Sequence, residues 1–149
     1  MKVLVDTPVW SLAFRRQRST LAAPDQAIVS ECAELVRDGR AVIIGPIRQE
    51  TLSGIREPAD FEKVRSKLAA IPDTPLVTAD FEEAAKFSNY CRSRGVAATS
   101  VDLMLWAITI RLEASLFTTN GDFVRFAKPS KLRLHQPPNP SGLKGNGRK

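Results

Sequence analysis

Four carboxylates stand where this sequence leaves a strand or opens a helix: Asp6, Glu50, Asp102 and Asp122. Asp6 ends the apolar run Lys2-Val3-Leu4-Val5. Glu50 lies in a short helical stretch after a second apolar run, Ala41-Val42-Ile43-Ile44. Asp102 falls in the first turn of the most apolar helix of the chain, and Asp122 follows the run Ser115-Leu116-Phe117-Thr118. Taken singly, each acid has a structural alternative. Asp6 can finish a strand, Glu50 can be a solvated helix residue, and Asp122 can cap its own helix. Asp102 can answer the helix dipole, worth about 0.3–1 kcal/mol when exposed. Taken together they point to other chemistry. Carboxylates that converge on one pocket repel unless a cation lies among them, and an all-oxygen donor set suits hard divalent ions such as Mg²⁺ or Mn²⁺. One or two such ions turn a bound water into a nucleophile near neutral pH and stabilise charge on a phosphate under attack. That is a chemistry for phosphodiester cleavage, and it needs no histidine, cysteine or serine nucleophile.

Other catalytic patterns are missing from the sequence. There is no GxGxxG, P-loop, GxSxG or zinc-ligand spacing. The single histidine, His135, sits beside a Pro-rich end and reads as an exposed loop residue. Cys32 and Cys91 are isolated in apolar-patterned surroundings and read as two buried free thiols. The dyad Thr118-Thr119 either offers a hydroxyl to substrate or metal or ends a strand, and the strand reading is preferred. Trp10 and Trp106 belong to no aromatic series and read as core or interface residues.

The elements that must position the acids follow from hydrophobic period. Lys2–Val5 and Ala41–Ile44 are short runs typical of buried strands, as is Ser115–Thr118. Thr7 and Pro8 form a helix start, with Thr7 as N-cap, for a helix to about Arg15. The polar stretch from Arg15 to Pro24 reads as a loop. Ile28, Val29, Cys32, Leu35 and Val36 make one stripe of a second helix, with Gly39 placed for a left-handed C-cap. Gly45-Pro46 breaks the second strand, and Ile47–Ser53 is a short helix closed by Gly54. Pro58–Ile71 is a helix with Phe61, Val64, Leu68 and Ile71 on one face, and Leu76–Thr78 is a brief strand or an extended linker. Asp80 and Glu83 fit a capping box for a helix to about Arg94. Ser100 caps the apolar helix Val101–Glu113, a short helix follows Asn120-Gly121-Asp122, and Leu132–Leu134 is a candidate edge strand. Strands separated by helices predict an α/β domain with a mainly parallel central sheet flanked by helices, whose ligands bind beyond the carboxyl ends of the strands.

At 149 residues the chain is one domain in length, with a formal net charge of +6. That charge is uneven. From Arg125 onward there are seven Lys or Arg and no acid, so residues 1–124 carry about −1. The basic end can hold phosphates by counterion release or can serve solubility. The segment 135–149 is Pro/Gly-rich and expected to be disordered. No run reaches the ~18 apolar residues of a membrane helix, and the N-terminus lacks a signal peptide, so a cytoplasmic location is expected.

In order and context, these motifs resemble the PIN-domain ribonucleases of the VapC type. The resemblance rests on VLVDTPVW around Asp6, IGPIRQETLSGIRE around Glu50, and SVDLMLWAITIRLEASLFTTNGDF carrying Asp102 and Asp122. It spans about residues 1–134, the expected PIN domain, and implies a three-layer PIN-like fold. It further implies a Mg²⁺- or Mn²⁺-dependent endoribonuclease, a homodimer, held inactive as the toxin of a type II toxin–antitoxin pair by a cognate antitoxin protein. Carried over by position, the acidic site is Asp6, Glu50, Asp102 and Asp122. Asp6 and Asp102 are the principal metal ligands and Asp122 a further one, with Glu50 and Asp122 helping to hold the ion or orient the attacking water. One departure stands out: Asn120 occupies a place where many members carry an acid, so the fourth corner rests on Asp122. Two other readings are open: a non-catalytic PIN-like module that binds RNA or protein, and a DNA-directed nuclease on the same fold. Metal-dependent cleavage of RNA separates the first, and side-by-side cleavage of RNA and DNA strands the second.

Overall fold

The apolar runs pair as parallel strands. In a computed structural model, which describes residues 1–15 and 18–138, β1 (Val3–Val5) lies between β2 (Ala41–Val42) and β3 (Ser115–Phe117), giving the order β2-β1-β3. Val3 faces Ala41 on one side and Ser115 on the other, and Val5 faces Phe117. Every residue of these strands is buried, which is why they read as unbroken apolar runs. Single parallel bridges extend the sheet at both edges, Ile43 to Asp73 and Leu116 to Leu134. The expected strand to Ile44 is therefore shorter, and Leu132–Leu134 contributes one bridge rather than a strand. Leu76 and Val77 take the extended-linker alternative.

Seven α-helices connect these segments among the described residues: α1 (Thr7–Arg15), α2 (Ala23–Arg37), α3 (Gly45–Leu52), α4 (Pro58–Leu68), α5 (Thr78–Ser93), α6 (Ser100–Arg111) and α7 (Asp122–Ala127). A 3₁₀ turn at Arg18–Thr20 lies within the stretch expected to be a loop. Crossovers between parallel strands are right-handed. The chain steps outward from β1 through β2 to Asp73, then returns across β1 to β3. This reversal puts α1–α4 on one face of the sheet and α5–α7 on the other, a three-layer α/β arrangement. Consistent with it, α1 packs on α2 and α3, and α5 packs on α6.

Helix ends depart from expectation for local reasons. Asp6, not Thr7, stands at the N-cap of α1: its carbonyl accepts the N–H groups of Val9 and Trp10. Pro46 sits inside the first turn of α3 rather than before it, where its missing N–H costs nothing. Val77 is the N-cap of α5, and Asp80 is its third residue, accepting the Val77 N–H at 2.9 Å. Thr99, not Ser100, caps α6, its hydroxyl accepting the Asp102 N–H at 3.1 Å. Helix α4 stops at Leu68, and Phe61 lies 36 % exposed instead of in the core. Gly39 does end α2 with φ +70°, as its position suggested.

Trp10 is fully buried and donates its indole N–H to the Val5 carbonyl at 2.9 Å, tying α1 back onto β1. Cys32 and Cys91 are buried free thiols, and burial pushes Cys32 up to about 12. His135 is not an exposed loop residue. Its Nε2 lies 2.6 Å from Glu31 on α2, and its ring meets the Phe117 ring edge-on at 5.2 Å. Of the expected tail, residues 139–149 lie outside the described residues. No helix among the described residues is long and apolar enough to cross a membrane.

Candidate active site

Because the chain reverses at β1, the helices leave β1 and β3 toward opposite faces, opening a crevice beyond their carboxyl ends. Asp6 is the first residue past β1, and Thr118 the first past β3. They meet there. Asp6 is 5 % exposed. Its Oδ2 accepts the Thr118 hydroxyl at 2.7 Å, and its Oδ1 accepts the Thr7 N–H at 2.8 Å. The Thr7 hydroxyl donates to Glu50 Oε1 at 2.8 Å. On the other side, Thr118 Oγ1 accepts the Asn120 N–H and Asn120 Oδ1 accepts the Asp122 N–H, both at 3.0 Å. One hydrogen-bonded path thus runs from Glu50 through Thr7, Asp6, Thr118 and Asn120 to the backbone of Asp122.

Asp102 faces this path from the first turn of α6, half-buried and fixed by the Thr99 cap. Burial pushes Asp6 up from 3.8 to about 6; hydrogen bonds from Thr118 and Thr7 oppose the rise, and the charges of Asp102 and Glu50 add to it. Burial likewise raises Asp102, with Thr99 hydrogen bonds lowering it and Glu50 and Asp122 raising it further. All four acids therefore share one electrostatic neighbourhood. Among the described residues, none of the four forms an ion pair with Lys, Arg or His.

Whether such a set fits a divalent cation depends on its donors. Among the described residues, no three acidic, His or Cys side chains stand close enough to make a complete cage. Mg²⁺ does not require one, because it keeps several waters and takes one or two carboxylates plus substrate phosphate oxygens. A buried carboxylate held up near 6 by burial and two like charges lacks the positive partner that such an ion would supply. In donor chemistry, Asp6 and Asp102 suit such an ion, with waters completing its shell.

The structure links Glu50 to Asp6 through Thr7, sets Asp102 and Asp122 within electrostatic reach of the same group, and adds side chains expected elsewhere. Thr7 was expected as a cap, yet its hydroxyl goes to Glu50. Thr118 was preferred as a strand end, yet it holds Asp6. A hydroxyl residue next to an acid-bearing strand end was the available signal in both cases. Asp80 was missed altogether as a buried acid. It is 1 % exposed and bound by the Arg111 guanidinium at 2.7 and 3.0 Å, away from the crevice and structural in role.

The PIN domain family matches residues 3–129, so the chain belongs to the PIN-domain family. Its fold is also that of VapBC-1 from nontypeable Haemophilus influenzae (TM-score 0.65, 16% identity, 91% of this chain and 98% of that one). VapBC2 from Rickettsia felis, solved bound to a DNA fragment from their promoter, is similar (TM-score 0.64, 12% identity, 91% and 98% covered). So is FitAcB from Neisseria gonorrhoeae (TM-score 0.62, 16% identity, 91% and 97% covered). No curated protein matches the sequence.

Proposed function

We propose that this chain is a metal-dependent endoribonuclease of the VapC type, the toxin of a toxin–antitoxin pair, acting in the cytoplasm as a homodimer and restrained by a cognate antitoxin. The observation that carries this reading is the buried Asp6 carboxylate. It is pinned at the strand ends by two hydrogen bonds, crowded by Glu50 and Asp102, and without a cationic side chain among the described residues. The fold shared with chains of VapBC2 and VapBC-1 supports the antitoxin.

Asp6 and Asp102 would be the principal holders of Mg²⁺ or Mn²⁺, with Asp122 in support; the ion would supply a water of lowered pKa and positive charge to offset that of a phosphate under attack. The chain's own contribution is placement. Thr118 and Thr7 fix the Asp6 carboxylate with one hydrogen bond to each oxygen, which leaves each oxygen capacity for a further partner. Exposed Glu50, tethered by Thr7, stands ready to accept the proton released as water attacks. Asn120 brings no charge, but its side chain locks the turn that presents Asp122. It therefore has a role that does not require a binding-only protein.

The test is cleavage of a mixed RNA pool with Mg²⁺, with Mn²⁺ and with EDTA, alongside Asp6→Ala and a DNA pool. Metal-dependent cutting of RNA that the variant loses by 10²-fold or more supports the reading. Equal cutting by variant and parent, or none by folded, antitoxin-free parent, removes it.

A further inference from the structure

On the face that carries α5, α6 and α7, a groove of ≈ 370 Å³ opens, lined by residues close in sequence to Asp102 and Asp122. Its walls are the C-terminal half of α5, with Tyr90 and Arg94, and the end of α7, with Arg125, Phe126 and Lys128; Val96 closes one end. Both walls lie within a few residues of the acids along the chain. Val96 belongs to the connection that delivers Thr99 and Asp102, and Arg125 is about one helical turn beyond Asp122. A neighbouring hollow reaches Trp106, which lies one turn after Asp102 on α6.

The floor is an aromatic ladder. Trp106 stacks on Phe87 at 4.0 Å with the planes 9° apart, and Phe87 stacks on Tyr90 at 5.8 Å and 8°. The ladder ends on Tyr90, 38 % exposed, with the Arg94 guanidinium 4.9 Å above its ring. Around it, Arg94, Arg125 and Lys128 form no ion pair with an acid among the described residues. A flat aromatic face bordered by unneutralised cations, one helical turn from Asp102 and Asp122 along α6 and α7, has the two features that hold single strands: stacking for a base and charge for its phosphates.

We infer that this groove is the subsite for a nucleotide of single-stranded RNA flanking the scissile phosphate. The base replaces Arg94 on Tyr90, and Arg94, Arg125 and Lys128 take the adjoining phosphates. The inference rests on the ribonuclease reading. A protein segment is the competing occupant, but the cationic rim on an otherwise near-neutral body favours the polyanion.

The probe is a fluorescein-labelled, mixed-sequence oligoribonucleotide. Its anisotropy is read with Asp6→Asn as the uncleaving parent, and its cleavage with the intact protein. Adding Tyr90→Ala is expected to weaken binding about tenfold, whereas Tyr90→Phe retains it. Arg125→Ala with Lys128→Ala is expected to lower the slope of log K against log salt by about 1–2. In cleavage these losses appear in KM rather than kcat, and Lys63→Ala on α4 is the unaffected control. Melting curves verify that each variant is folded. Variants that bind RNA like their parent and cleave with unaltered KM overturn the subsite while leaving the nuclease intact. A parent that neither binds nor cleaves RNA removes both. Loss of antitoxin binding with RNA binding unchanged assigns the groove to protein and also overturns it.

Discussion

The Asp6 side chain is held in a state that the fold itself opposes. Its carboxyl rises from 3.8 to about 6 because burial outweighs the Thr118 and Thr7 hydrogen bonds. A group whose proton is held more tightly in the folded chain stabilises the fold below 3.8 and withdraws that stability as pH rises through 6, by about 3 kcal/mol in full. Asp6→Asn should therefore stabilise the metal-free protein by about 1–3 kcal/mol at pH 7.5 and by about a third as much at pH 4.5. Urea melts in EDTA at the two values check this. Equal effects at both pH values would mean that charge is not the cause. At this scale the sequence was legible where an acid met a strand end and opaque where a hydroxyl chose its partner. Thr7 and Thr118 carry no mark that distinguishes a cap from a carboxylate clamp, because the partners Glu50 and Asp6 lie 43 and 112 residues away.

The helices place charges as well as bury apolar surface. Helix α6 is apolar almost all round and buried along most of its length, so Asp102 enters the crevice on an element with little freedom to shift. Its far end is held by the Arg111–Asp80 pair to α5. Burial alone would raise Asp80, but the Arg111 hydrogen bonds, the Val77 N–H and the Arg111 charge hold it below the usual carboxylate range. Its contribution is thus present above about pH 4 and lost as pH falls. Arg111→Met should destabilise by about 3 kcal/mol at neutral pH, with a smaller loss at pH 3, and the double variant with Asp80→Leu should recover much of it. Thermal melts of the single and double variants test this, and a double variant no better than Arg111→Met would contradict it. Apolar period located α2 and α6 well, and the acids at Asp80 and Glu83 located α5. It located caps poorly, because Val77 and Thr99 cap through backbone conformation and through neighbours one position away from the residues that looked suited to the task.

Across the whole molecule, strand order could be anticipated only as parallel. The reversal at β1, which makes the crevice, is a property of the closed sheet. Since the crevice lacks a positive partner for Asp6 among the described residues, Mg²⁺ should raise the melting temperature of the parent by several degrees at pH 7.5. An ion at about 100 times its Kd adds ~2.7 kcal/mol, and 1 kcal/mol shifts a chain of this size by about 2–4 °C. Asp6→Asn should show little of this rise. An equal rise in both would place the ion elsewhere. The same closure has a consequence for synthesis. The pocket needs Phe117, whose carbonyl binds the Asp6 N–H, and Thr118 beyond it, so a ribosome must deliver most of the chain before any acid site exists. On the proposed function, a growing chain stays inert until β3 has joined β1, and one that stops short of β3 never acquires the site.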